Sequence, residues 1–135
     1  MTTLLLDTNL LISTPDFGKF PEDTRMELRL CTSTLCYAEF SEGRFTNDPI
    51  RSAETILRLA LLREALGPGL PFGEAELGAY QEICATVVSR GRTVTRSRRI
   101  DLMIAATALA NGVVLATRNI SDFAAVAGDL QIIEL

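Results

Sequence analysis

The sequence contains no histidine, and this absence excludes several classes of enzyme at once. A Ser-His-Asp or Cys-His nucleophile system needs an imidazole as its base, and many zinc sites need imidazole ligands. Neither kind of site can be built from this chain. Its chemistry must therefore rely on carboxylates, hydroxyls, basic side chains or bound metal ions.

Cysteines and long apolar runs are also scarce. Cysteine occurs three times, at Cys31, Cys36 and Cys84, without a CxxC pair. An odd number fits buried thiols better than a disulfide framework or a zinc knuckle, so we expect a protein of the reducing cytoplasm. No apolar run approaches the roughly 20 residues of a membrane span, and the short apolar start follows no basic region. We therefore expect neither a membrane segment nor a signal peptide.

Length and composition are those of an ordinary globular protein. The 135 residues are 47% hydrophobic and 22% charged, which predicts one domain over residues 1–135 with a sizeable core. The net charge of −4 is unlike that of a cationic nucleic-acid binder. A local basic patch can still bind RNA within an acidic chain, so RNA is not excluded.

Short apolar runs alternate with helical patterns along the chain, which is typical of an α/β fold with a mostly parallel sheet. The two longest predicted helices are joined by a short loop, so we expect them to pack together as a hairpin. The predicted strands are residues 4–6, 30–32, 113–117 and 131–134, and the predicted helices are 10–13, 22–29, 35–42, 49–66, 74–89 and 101–112.

Acidic and amide side chains recur near one predicted edge of the sheet. Asp7 follows the first strand, Asn119 and Asp122 follow the third, and Glu39 and Asp101 are expected in the first turns of helices. Parallel sheets bind their ligands at the carboxyl ends of the strands, so these residues are expected to converge. Each also has a simpler explanation, since a helix cap or a solvated helix glutamate needs no ligand.

A site with several carboxylates needs compensation, because like charges in a small space must be neutralised by cations or by protons. Carboxylate oxygens without histidine or cysteine suit a hard ion, Mg²⁺ or Mn²⁺. Such an ion lowers the pKa of a bound water and braces the leaving oxygen in phosphoryl chemistry.

Arginines are concentrated in one segment before Asp101. A charge run of this kind is often only a solvated loop, but it can also grip a phosphate backbone. Its position beside Asp101 favours the phosphate contact. The cluster consists of Arg90, Arg92, Arg96, Arg98 and Arg99.

Four segments in this order resemble the PIN-domain ribonucleases and, within them, the VapC toxins of prokaryotic toxin–antitoxin pairs. They are residues 6–9 (LDTN), 37–39 (YAE), 101–108 (DLMIAATA) and 116–123 (ATRNISDF). The resemblance implies a three-layer α/β/α fold and metal-dependent cleavage of RNA. It also implies a homodimer and a cognate VapB-type antitoxin, for which the first helices, around Leu10, Leu11 and Phe45, are a candidate surface.

The resemblance also implies a set of site residues. Asp7, Glu39 and Asp101 would form the metal site, with Glu39 either ligating Mg²⁺ or orienting the attacking water. The fourth acid of the family pattern falls on Asn119, with Asp122 three residues on, so the number of metal ions stays open. Both are included in the catalytic set. The predicted substrate-binding residues are Thr8, Asn9, Thr117, Arg118, Arg92, Arg96, Arg98 and Arg99.

Two rival interpretations remain. A catalytically degenerate PIN fold would bind RNA or protein without cutting, and Asn119 is its best support. A different Mg²⁺ phosphohydrolase is less suited to the sequence. A haloacid-dehalogenase-type enzyme needs Asp-x-Asp where this chain has Asp7-Thr8-Asn9, and no GxxxxGK[ST] stretch is present for a P-loop.

Overall fold

A computed structural model describes residues 1–13, 17–126, 128 and 130–135. Over these residues four strands form one parallel sheet, in the order β2-β1-β3-β4. The predicted α/β fold with a parallel sheet is confirmed. The strands are β1 (Thr2–Leu6), β2 (Leu28–Cys31), β3 (Val114–Thr117) and β4 (Ile132–Glu134).

The helices fall into two groups by their contacts. The first, third and fourth pack successively against one another, whereas the fifth packs mainly along the sixth. They are α1 (Thr8–Ile12), α2 (Glu22–Met26), α3 (Thr34–Ser41), α4 (Pro49–Leu66), α5 (Glu74–Ser89) and α6 (Arg99–Ala110). Short 3₁₀ turns cover Phe17–Lys19, Glu42–Phe45, Arg96–Arg98 and Ile120–Val126.

Strand β1 lies at the centre of the molecule because its side chains are apolar on both faces. Leu4, Leu5 and Leu6 are at most 4% exposed. Such a strand is stable only between two neighbouring strands and under helices on either side. Helix α6 meets the core with Ala105 and Ala106, whose small side chains are fully buried and allow close packing.

The predicted hairpin of α4 and α5 is wrong. The connection between them is pinned to the chain after β2: Leu70 donates its N–H to Thr32 O (2.9 Å) and accepts from Thr34 N (3.0 Å). A Cβ at Gly69 would lie 2.6 Å from Thr34 N, so this close approach requires glycine. The anchored segment separates the two helices, and α5 packs on α6 instead.

Several predicted boundaries move because a different residue caps the element. Helix α1 begins at Thr8, since Asp7 is its N-cap. Helix α3 ends at Ser41, one residue before the predicted end, and a 3₁₀ turn follows it. Strand β2 begins at Leu28, which shortens α2.

Helix boundaries agree with the prediction where proline and glycine mark the ends of a helix. Helix α4 has proline at its first position and ends at Leu66, followed by the C-cap residue Gly67 with φ of 78°. Among the described residues, no helix is both long and apolar enough to cross a membrane.

Candidate active site

Asp7 is a buried carboxylate held at the junction of β1 and α1. It is 6% exposed, and its Oδ1 accepts a hydrogen bond from Thr8 N at 2.8 Å. Its own N–H donates to Ala116 O at 2.9 Å, which continues the β1–β3 ladder to the carboxyl edge of the sheet. The end of the central strand therefore fixes this carboxylate at the edge where ligands of parallel sheets bind.

The hydroxyl of Thr117, at the end of β3, connects three of the predicted site residues. It donates to Asp7 Oδ2 at 2.8 Å and accepts from Asn9 Nδ2 at 3.3 Å and from Asn119 N at 3.2 Å. Thr117 is fully buried. Its hydroxyl is thus engaged within the protein, and its position fits orienting Asp7.

Thr8 and Asn9 also make contacts inside the site. Thr8 donates its hydroxyl to Glu39 Oε1 at 2.7 Å, which links the start of α1 to α3. Asn9 Oδ1 accepts from Arg118 N at 3.3 Å. Glu39 is half-buried and lies in the second turn of α3, later than the first turn that the sequence indicated. Glu39 is thus hydrogen-bonded to the residue that follows Asp7 in the chain.

Asp101 is the third residue of α6, in its first turn, while Arg98 occupies the N-cap position. The alternative explanation of Asp101 as a helix cap is therefore wrong. Burial raises the pKa of Asp101 from 3.8 to about 6, and the charges of Asp7, Asp122 and Glu39 add to the rise. The four carboxylates share one electrostatic environment, as the sequence predicted.

Burial is also the main cause that raises the pKa of Asp7, while hydrogen bonds from Thr117 and Thr8 oppose the rise. The charge of Asp122 adds to it. Two aspartates at one edge of the sheet thus have pKa values that are raised mainly by burial, and perturbed pKa values of this kind are characteristic of functional sites.

Asp122 forms an ion pair with Arg98, with 3.1 Å between its Oδ1 and Arg98 Nη1. Asp122 was predicted as a catalytic acid and Arg98 as a phosphate contact, and no local pattern in the sequence indicated that the two would pair. Asn119 is exposed beside them, and its backbone carbonyl accepts from Asp122 N at 3.0 Å.

The other arginines are spread around this edge. Arg118 follows β3 and donates to Ser13 O at 3.4 Å. Arg92 is exposed and lines a cavity of about 150 Å³ together with Arg98 and Asp122. Arg96 and Arg99 are exposed at the start of α6. The predicted basic segment thus adjoins the acidic edge, although its members do not form one compact patch.

The donor set at this edge fits a hard divalent ion. Asp7, Glu39 and Asp101 offer carboxylate oxygens, and their mutual repulsion is what a cation would relieve. Within the described part of the chain, no three acidic or cysteine side chains are already arranged at metal-coordinating positions.

The candidate partner surface is partly wrong. Leu10 and Leu11 are at most 2% exposed and belong to the core, because the helix they lie on packs over the sheet. Phe45 is 77% exposed. It lines a cleft of about 530 Å³ between α1, α3 and α4 that also reaches Glu39. The sequence had no signal for this cleft, since its walls come from three separate elements.

The comparisons with known proteins agree with this geometry. The PIN-domain family profile matches residues 4–129. VapBC-5 of Mycobacterium tuberculosis, a member of the VapBC family of toxin–antitoxin systems, superposes with a TM-score of 0.81 at 23% identity, over 100% of both chains. VapBC-1 of nontypeable Haemophilus influenzae gives 0.75 at 27% identity, over 98% of each chain. FitAcB of Neisseria gonorrhoeae gives 0.74 at 26% identity, over 96% of each.

No curated protein matches the chain by sequence. The family match nevertheless spans almost the whole chain, and all four predicted segments lie within it. PIN domains are generally nucleases, and they usually use divalent metal ions. The parallel sheet, the acidic edge and the profile agree, and the chain belongs to the PIN-domain family.

Proposed function

We propose that this protein is a Mg²⁺-dependent endoribonuclease and the toxin of a type II toxin–antitoxin pair. The observation that carries the proposal is the acidic edge, where burial and, after it, the charges of neighbouring carboxylates raise the pKa of Asp101 to about 6. Membership of a nuclease family and the likeness to VapBC structures support it. Mn²⁺ would serve the same oxygen ligands.

Asp7 and Asp101 would hold the ion, and Glu39 would ligate it or orient the attacking water. When bound, the ion would acidify a water and stabilise the charge that develops on the phosphodiester. Thr117 and Thr8 keep the carboxylates of Asp7 and Glu39 in place through the hydrogen bonds described above. These second contacts matter because a loosely held ligand loses much of its metal affinity.

The proposed substrate is RNA, either transfer RNA or ribosomal RNA. Arg92, Arg96, Arg99 and Arg118 are exposed around the acidic edge, where phosphate oxygens of a bound strand would pass. Arginine–phosphate contacts supply affinity and register more than sequence choice. We therefore assign these residues to binding, with the cut site determined by other contacts.

A cognate VapB-type antitoxin is the proposed partner. The cleft beside Glu39 and Phe45 is lined by both apolar and charged side chains and reaches the acidic edge, so a partner segment lying there would block the site. We further propose a homodimer. The outer face of α4 exposes Ile50, Leu57 and Leu61, which is unusually apolar for a helix facing solvent. Light scattering of the purified chain tests the dimer.

Cleavage of total cellular RNA by purified protein, freed of antitoxin, tests the proposed activity. The reaction is run with Mg²⁺, with chelator, and with the variants Asp7→Asn and Asp101→Asn. We expect cleavage that requires the metal and both aspartates, and mapped ends would identify the RNA. The exposed Glu82, on α5, gives a control variant, Glu82→Gln, that should cut normally.

A second function has one observation in its favour. Asn119 is neutral where the family pattern has an acid, and no metal cluster is preformed among the described residues. A PIN fold that binds RNA or protein without cutting would share these features. Folded protein that retains RNA on a filter but leaves every cellular RNA intact would favour this binding module.

A further inference from the structure

Arg98 is the one arginine of the basic segment that is paired with a carboxylate of the acidic edge in the described part of the chain. Its Nη1 lies 3.1 Å from Asp122 Oδ1 and 3.3 Å from the backbone oxygen of the same residue. It occupies the N-cap position of α6, three residues before Asp101. The guanidinium therefore bridges the start of α6 and the turn after β3.

The charges of Arg98 and Asp122 act on the carboxylates of the proposed metal site. The charge of Asp122 raises the pKa of both Asp7 and Asp101, and the charge of Arg98 lowers that of Asp101. Arg98 and Asp122 also line one cavity with Leu102, on the following turn of α6. The positive charge of Arg98 thus lies next to the carboxylates of this edge. It lies on the same side as Asn119, which is neutral where the family pattern has an acidic residue.

We propose that Arg98 is a resident cation of the acidic site, which holds Asp122 away from metal ligation and limits the site to one divalent ion. This inference rests on the proposed function and deepens it by assigning the metal count. One ion would be held by Asp7, Glu39 and Asp101, and Asp122 would act as a positioning residue through Arg98.

The physical argument is competition for one carboxylate. Arginine stays charged at any physiological pH, so the guanidinium does not leave by losing its proton. A second dication at Asp122 would have to break the ion pair and then stand beside an unpaired positive charge. Asn119 is neutral and offers a second ion only an amide oxygen. This ligand would offset little of the repulsion between that ion and the guanidinium of Arg98.

A purely structural role must be separated from this one. The pair is surface-accessible, with the two side chains 48% and 38% exposed, so by itself it adds little to folding stability. If it only tied the turn to α6, removing it would leave metal binding unchanged. The test therefore measures the number and affinity of bound ions.

Isothermal titration with Mn²⁺ is performed on the full chain, wild type and four variants, each verified as folded by circular dichroism. We expect one ion per chain for wild type and for Arg98→Lys, which keeps the charge. Arg98→Gln should admit a second ion or bind the first at least threefold more tightly. Asp122→Asn should keep one ion with affinity within about threefold of wild type, since a neutral Asp122 adds no ligand.

Arg29→Gln is the matched control, because it makes the same charge change on β2 opposite Thr3, in the half of the sheet away from the acidic edge. It should titrate as wild type does. Two ions in the wild type, or an Arg98→Gln titration indistinguishable from that of Arg29→Gln, would overturn the inference while leaving the nuclease proposal intact. A wild-type chain that binds no Mn²⁺ would overturn both.

Discussion

Replacing Asp101 with asparagine should stabilise the metal-free protein at neutral pH. The carboxylate of Asp101 is partly buried and lies near the charges of Asp7, Asp122 and Glu39. Burial, followed by these charges, raises its pKa from 3.8 to about 6. The folded state therefore holds an ionised group that the unfolded chain would solvate better. An amide of nearly the same shape removes that cost without opening a cavity.

The magnitude follows from the same pKa. Each pKa unit corresponds to about 1.4 kcal/mol, so a rise from 3.8 to about 6 sets an upper limit of about 3 kcal/mol. Because Asp101 is partly exposed, solvent screening reduces the expected gain to roughly 1–1.5 kcal/mol. For a chain of this length that gain raises the Tm by about 3–7 °C.

The sign also fixes the pH dependence. Above pH 6 the carboxylate of Asp101 is ionised in the folded state, and the folded state is destabilised by the full amount. As the pH falls from about 6 towards 4, the folded carboxyl takes up its proton before the unfolded one does, so the cost disappears. The gain from Asp101→Asn should therefore be largest at pH 8 and about half as large at pH 5.

The assay is thermal unfolding in chelator at pH 8 and pH 5, with Glu82→Gln as an exposed-carboxylate control that should change the Tm by less than about 1 °C. Adding Mg²⁺ at pH 8 should raise the Tm of wild type more than that of Asp101→Asn, because binding to the folded state is stabilising. A lower Tm for Asp101→Asn in chelator at pH 8, or a gain that is equal at both pH values, would refute the reasoning.

Three further predictions concern other parts of the fold. Thr117→Val removes the donor to the buried aspartate, so we expect a loss of about 1–3 kcal/mol in urea unfolding, which Thr117→Ser should largely avoid. Phe45→Ser should weaken binding of the antitoxin about tenfold or more in titrations while the Tm stays unchanged, because a side chain that is 77% exposed contributes little to folding. Gly69→Ala should destabilise by about 1–3 kcal/mol, because its Cβ would collide with backbone, whereas Gly78→Ala, with open space in α5, should stabilise by about 0.5–1 kcal/mol. Equal effects of the two glycine changes would contradict the packing argument.

The parts of this fold that could be predicted from sequence are those with a local physical cause. A continuous apolar run requires burial on both faces, and this placed β1 at the centre of the sheet and Asp7 at its end. Proline at the first turn and glycine after the last one fixed both ends of α4. Convergence of the carboxylates followed from strand direction alone, without knowledge of any distance.

Features that depend on contacts between distant segments could not be predicted. The separation of α4 from α5 depends on Leu70 bonding to Thr32, and neither residue carries a recognisable pairing signal. Leu10 and Leu11 looked available because they lie on a short helix, but that helix packs its apolar side over the sheet. The pairing of Arg98 with Asp122 depends on side-chain reach across 24 positions.

The bond between Thr117 and Asp7 joins residues 110 positions apart, and this separation orders events during synthesis. A ribosome that has made β1, β2 and α3 has produced Asp7 and Glu39, yet β3 is still missing, and with it the Thr117 hydroxyl that orients the aspartate. The proposed active site is therefore completed only after β3 has left the exit tunnel and paired with β1. On the proposed function, a nascent chain would therefore remain inactive until nearly all of it has been synthesised.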